Sequence, residues 1–81
     1  MPRYFLHLRD GTDEVLDPDG LMFDDEGRLR KAVVQNARDI LCGEIRSEGL
    51  IDLRPRIDAE DEAGNIVYSL PFEDAVRVIQ S

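Results

Sequence analysis

The sequence predicts an α+β domain: an antiparallel sheet of three or four strands packed on one long helix as a two-layer sandwich. The predicted order is β-β-α-β-β, followed by a short C-terminal helix. Three observations carry this reading. Apolar residues alternate with period two near both ends of the chain, at Tyr4, Leu6 and Leu8 and again at Ile57 and Ala59. They recur at helical spacing in the middle, at Leu29, Val33, Ala37, Ile40, Leu41 and Ile45. Short clusters of turn residues separate the two patterns, and hairpins combined with one helix make a layered α+β architecture. The 81 residues form a single predicted domain, 1-81, without repeats, linker or low-complexity stretch.

The first strand is Arg3-Tyr4-Phe5-Leu6-His7-Leu8-Arg9, with Tyr4, Leu6 and Leu8 toward the core and Phe5, His7 and Arg9 on the opposite face. Asp10-Gly11-Thr12-Asp13 is turn chemistry, and Glu14-Val15-Leu16 suits a short returning strand. Asp17-Pro18-Asp19-Gly20 is a stop, after which Leu21-Met22-Phe23 is briefly extended. Asp24-Asp25-Glu26 opens the helix, because carboxylates there meet free N–H groups and the positive end of the dipole. Residues 28–48 span about 30 Å at the helical rise, with Gly43 a soft spot inside and Gly49 the C-terminal stop. Residues 52–61 read as a strand with Ile57 and Ala59 inward and Arg56, Asp58 and Glu60 outward; Pro55 restricts its start. Glu62-Ala63-Gly64-Asn65 is a hairpin connection to a strand over Ile66-Val67-Tyr68-Ser69-Leu70. Pro71 ends that strand, and Phe72, Ala75, Val76 and Ile79 have the spacing of a short terminal helix.

Composition narrows the function. Eighteen acidic residues against ten basic ones give a net charge of -8, which disfavours direct binding to nucleic acid. The 42% apolar content is too high for a disordered acidic tail, and the apolar runs are too short for a membrane span or a signal-peptide core. A lone cysteine, Cys42, forms no intrachain disulfide, and a cytoplasmic location is expected.

No constellation for catalysis is expected. The acidic stretch from Asp10 to Glu26 fails as an EF-hand: with Gly20 at loop position six, position one falls on Val15, which has no ligating group. Turn-forming and capping roles are expected for these acids instead. His7 is the only histidine and would need an oriented partner for acid–base work, with Asp58 or Glu60 on a neighbouring strand as candidates. Cys42 lies late in the helix, where the dipole opposes a thiolate, and is expected to be a small, partly buried hydrophobe. The scattered glycines form no phosphate-binding loop, and no metal or cofactor is expected. The reading is therefore a non-enzymatic interaction module, a homodimer in the first instance, with Phe5, His7 and Arg56 as the interaction surface on the sheet face away from the helix. An alternative is an antitoxin-like or inhibitory module that uses its charge to bind a basic protein partner.

Several segments together carry a family resemblance. These are the opening Met1-Pro2-Arg3-Tyr4-Phe5, the Asp10-Gly11 turn, Asp17-Pro18-Asp19-Gly20 and the helix from Ala32 to Ile45. Asp61-Glu62-Ala63-Gly64 and Leu70-Pro71-Phe72 through Ala75-Val76 complete the set. As a set they resemble a bacterial family of short domains of unknown function, whose members open on a Met-Pro-Arg-Tyr-Phe-like strand. The resemblance implies the fold above and no activity or site residue. Asp24-Asp25-Glu26-Gly27 departs from the family's Ala-rich start of the helix. A second likeness, at the level of fold, is to HicB-type antitoxins, with Asn36-Ala37-Arg38 at the corresponding place in the helix. The Gly-Cys-x-x-x-Gly-like segment and the DNA-binding tail of those proteins are missing from this sequence.

Overall fold

A computed structural model describes residues 2–80. The fold is α+β, with one helix and an antiparallel sheet. The chain runs through β1 (Arg3–Arg9), β2 (Glu14–Val15), β3 (Leu21–Met22), α1 (Glu26–Glu48), β4 (Arg56–Glu60) and β5 (Ile66–Pro71), then a 3-10 turn at Phe72–Asp74. The sheet therefore has five strands where three or four were expected. Their spatial order is β2-β1-β4-β5, and β3 also pairs with β1. Two short strands share one edge of β1: Leu8 lies opposite Val15, and Tyr4 opposite Leu21. The brief extension at Leu21-Met22 is thus a strand in its own right.

Gly20 sets the turn between these short strands. Its φ is +71°, and an added Cβ would lie 2.8 Å from the Tyr4 carbonyl oxygen and 2.9 Å from Arg3 Cγ. Only a residue without Cβ lets the loop press against β1. Asp17 completes the turn. Its carboxylate accepts the backbone N–H groups of Leu6 at 3.3 Å, Asp19 at 3.2 Å and Gly20 at 3.1 Å.

α1 begins at Asp25, whose Oδ1 accepts the Arg28 N–H at 2.8 Å. It ends at Gly49, in the left-handed conformation, whose N–H bonds back into the last turn. Leu29, Val33, Ala37 and Leu41 are buried at successive turns. They form one cluster with Ile57 and Ala59 of β4, Leu70 of β5, and Phe72 and Ala75 beyond it. Tyr4, Leu6 and Leu8 pack against that cluster, as their alternation predicts. Ile45, expected on the same stripe, is about half exposed. Cys42 is exposed rather than partly buried, because Leu41 takes the inward position and the next residue is turned 100° around the axis.

Two predicted elements are shorter in the structure. Residues 52–54 do not join β4. The Asp52 carboxylate accepts the Arg54 N–H at 3.0 Å and pairs with its guanidinium at 2.9 Å, a local turn that competes with the ladder. The Pro55 carbonyl instead accepts the Phe72 N–H at 3.0 Å. The short C-terminal helix is reduced to the 3-10 turn Phe72–Asp74, closed by the Ala75 N–H on the Phe72 carbonyl. Arg38 Nε donates to the Ala75 carbonyl at 2.7 Å, which takes the acceptor that a continuing helix would use. Phe72 and Ala75 are buried, but Ile79 is exposed, so the spacing that suggested the helix does not correspond to one packed face.

Candidate functional site

The register of β1 on β4 builds a polar face on the sheet. Phe5 lies opposite Glu60, His7 opposite Asp58 and Arg9 opposite Arg56. Ile57 and Ala59 point into the cluster shared with α1, so alternation places Arg56, Asp58 and Glu60 on the other side with Phe5, His7 and Arg9. Ser69 of β5 faces Asp58 from the far side. The three residues expected at an interaction surface, Phe5, His7 and Arg56, therefore share this face. The Phe5 and His7 rings stack with centroids 6.3 Å apart.

Asp58 is the centre of the face. It is 1% exposed, the buried charged residue among the core positions. Its Oδ1 accepts the Ser69 hydroxyl at 2.6 Å, and its Oδ2 accepts Arg9 Nη1 at 2.8 Å and Arg56 Nε at 3.2 Å. Burial alone would raise its pKa. The Ser69 hydroxyl and the guanidinium groups of Arg9 and Arg56 outweigh burial and hold the carboxyl below the usual range. Arg9 also bonds Glu14 Oε2 at 2.9 Å and Glu60 Oε2 at 3.0 Å. Its hydrogen bonds to Glu14, Asp58 and Glu60 hold the guanidinium more firmly protonated than usual. One arginine thus bridges carboxylates from β2 and β4 across β1.

His7 sits at the edge of this network. Its Nδ1 accepts the Asp17 N–H at 3.0 Å, which places the ring proton of the neutral side chain on Nε2, 3.6 Å from Glu60 Oε1. Glu60, rather than Asp58, is the carboxylate it faces. The Asp17 carboxyl would be raised by burial, but the N–H groups of Gly20, Leu6 and Asp19 lower it more. The acidic stretch is mostly spent on the chain itself: Asp10 caps the turn at Asp13, Asp17 holds the next loop and Asp25 caps the helix. Among the described residues no group of three or more His, Cys, Asp or Glu side chains is placed to hold a metal ion. Among the described residues no helix is long and apolar enough to cross a membrane.

Arg9, Asp58, Glu60 and Ser69 were not singled out together from the sequence. Their outward parity was readable, but the pairing of β1 directly with β4, which joins residues some fifty positions apart, was not. His7 and Arg9 at alternate positions of one strand, with Arg56, Asp58 and Glu60 at alternate positions of another, were the available signal.

The family model for a domain of unknown function, DUF6894, matches residues 3–73. The chain belongs to the DUF6894 family. The matched span runs from the first residue of β1 to the 3-10 turn, so it contains the whole polar face of this DUF6894 chain and all of its sheet. Neither the curated proteins nor the solved structures contain a match to it.

Proposed function

We propose that this DUF6894 chain is a non-enzymatic protein-interaction module that self-associates by antiparallel pairing of β5 with β5 of a second copy. The observation that carries the reading is the contrast between the two margins of the sheet. β5 ends the strand order, and its residues Ile66, Val67, Tyr68, Ser69, Leu70 and Pro71 bear no charge. Edge strands of proteins that stay apart are usually guarded by charge. The opposite margin carries Glu14 in β2, flanked by Asp13, Asp17 and Asp19. Two copies of a chain with net charge -8 repel one another, and the residues of β5 themselves would bring no carboxylate into the pairing; Asp61, Glu62, Glu73 and Asp74 lie outside the strand on either side. Pairing there would join the two polar faces, so that Phe5, His7 and Arg56 of each copy lie on one continuous surface. The lone, exposed Cys42 favours a reducing, cytoplasmic setting.

A second reading has its own observation. Val15, Leu16, Leu21 and Met22 are all exposed at the acidic margin. Apolar side chains framed by carboxylates suit a basic protein partner, as in an antitoxin-like or inhibitory module.

Light scattering after size exclusion tests the first reading. The wild-type chain should elute at twice its 9.2 kDa mass. Ile66→Lys, on the β5 margin, should give the monomer, and Met22→Lys, on the other margin, should leave the dimer intact. A wild-type chain that stays monomeric up to about millimolar concentration overturns the proposal, since that corresponds to less than about 4 kcal/mol of association.

A further inference from the structure

We infer that one flank of α1, the one beside Tyr68 and Ala75, is a docking groove for an acidic, partly apolar peptide segment of a partner protein. The groove has a volume of about 400 Å3 and is lined by Arg30, Lys31, Val34, Gln35 and Arg38. These positions recur at helical spacing, so they form one side of α1 over about two turns. Val34 is half-buried and packs against the core, which gives the groove an apolar floor.

Two of the three charges around that floor, Arg30 and Arg38, are held in place, and none of the three is paired with a carboxylate among the described residues. The Arg30 guanidinium lies 5.0 Å from the centre of the Tyr68 ring. Arg38 is anchored through Nε to the Ala75 carbonyl at 2.7 Å, which leaves the ends of its guanidinium for a ligand. Lys31 makes no hydrogen bond or ion pair among the described residues. The molecule has eighteen acidic residues for ten basic ones, and carboxylates pair with Arg9, Arg28, Arg54 and Arg56. Among the described residues, Arg3, Arg30, Lys31, Arg38, Arg46 and Arg77 have no such partner, and three of these six, Arg30, Lys31 and Arg38, line this one groove. A positive patch left unmatched on a strongly negative molecule selects an acidic occupant. Carboxylates about two helical turns apart, ~10 Å, would reach Lys31 and Arg38 while an apolar side chain between them covers Val34. A polyanion such as RNA fits less well, because it would extend beyond the patch into the field of the -8 surface.

Fluorescence anisotropy with the full chain tests this. The probe is a fluorescein-labelled peptide of about twelve residues in Glu-Glu-Leu repeats, and the control peptide has Gln for every Glu. The Glu peptide should bind, and its affinity should fall about tenfold between about 0.05 and about 0.5 M NaCl. Lys31→Glu should weaken it by about fivefold or more, from an exposed position that leaves the fold intact. Ile66→Lys should bind as the wild type does, so failure of the β5 pairing and failure of the groove are separable. Equal binding by the Gln peptide, by Lys31→Glu or by a labelled single-stranded RNA of similar length overturns the inference. Loss of peptide binding where the wild-type mass doubles, restored by Ile66→Lys, would make a second copy the occupant and also overturns it.

Discussion

Removing the Asp58 carboxylate gives the sharpest check on the polar face. In Asp58→Ala, the Ser69 hydroxyl loses its acceptor at 2.6 Å, and Arg9 and Arg56 lose theirs at 2.8 and 3.2 Å. Stripping one partner from a fully buried ion pair costs about 3–5 kcal/mol. That is an upper bound here, because Arg9 keeps Glu14 and Glu60, and Arg56 is 46% exposed and can turn to water. The expected loss is therefore about 2–3 kcal/mol, the scale of one or two charge-assisted hydrogen bonds. For a domain of this size it lowers Tm by about 10–20 °C. The assay is thermal and urea unfolding followed by circular dichroism at neutral pH. Measuring in the Ile66→Lys background keeps association out of the result. Asp58→Asn should lose less, since its amide oxygen still accepts from Ser69. Acid adds a second readout. The Asp58 pKa is lower in the folded chain, so its stabilising contribution is present above the unfolded carboxyl value of about 4. It disappears as pH falls through the folded value. Below about pH 4 the wild type should therefore lose stability more steeply than Asp58→Asn. A loss for Asp58→Ala of under about 0.5 kcal/mol would refute the reasoning, because surface changes away from any special contact fall in that range.

Other outcomes follow from single contacts. Gly20→Ala should cost about 3 kcal/mol in urea unfolding, from the positive φ together with the clash on the Tyr4 carbonyl. Gly11→Ala, also at positive φ but with no atom within 4 Å of the added Cβ, should cost only about 1 kcal/mol. Phe72→Ala should remove about 3–5 kcal/mol and leave the chain largely unfolded at 37 °C by circular dichroism, since Phe72 is the largest fully buried side chain. Asp25→Ala should lower stability by about 1 kcal/mol through loss of the helix cap, seen as a shift in urea midpoint without a change in slope.

Much of the fold was legible because it rests on local periodicity and local hydrogen bonds. The helical spacing from Leu29 to Leu41 marked the buried stripe of α1, and Gly49 marked its end. Alternation in Tyr4, Leu6 and Leu8 marked the buried face of β1. The acidic stretch was readable as turn and cap chemistry because Asp10, Asp17 and Asp25 bond to backbone groups within a few residues. For these caps and turns most of the deciding hydrogen bonds lie within a few residues of the carboxylate that accepts them, and Asp17 adds one from Leu6 of β1.

Tertiary structure decided the rest. Nothing local places β1 beside β4, so the meeting of Arg9, Asp58, Glu60 and Ser69 is invisible until the sheet order is known. The predicted terminal helix gave way because Arg38 takes the Ala75 carbonyl and the core takes Phe72, contacts whose free energy exceeds the weak helical preference of a few residues. The two unlike margins of the sheet and the basic side of α1 have the same origin. Each depends on which strand lies outermost and which helix face turns inward. The local pattern of the chain determined what kind of element each segment forms, and long-range packing determined what those elements present to another molecule.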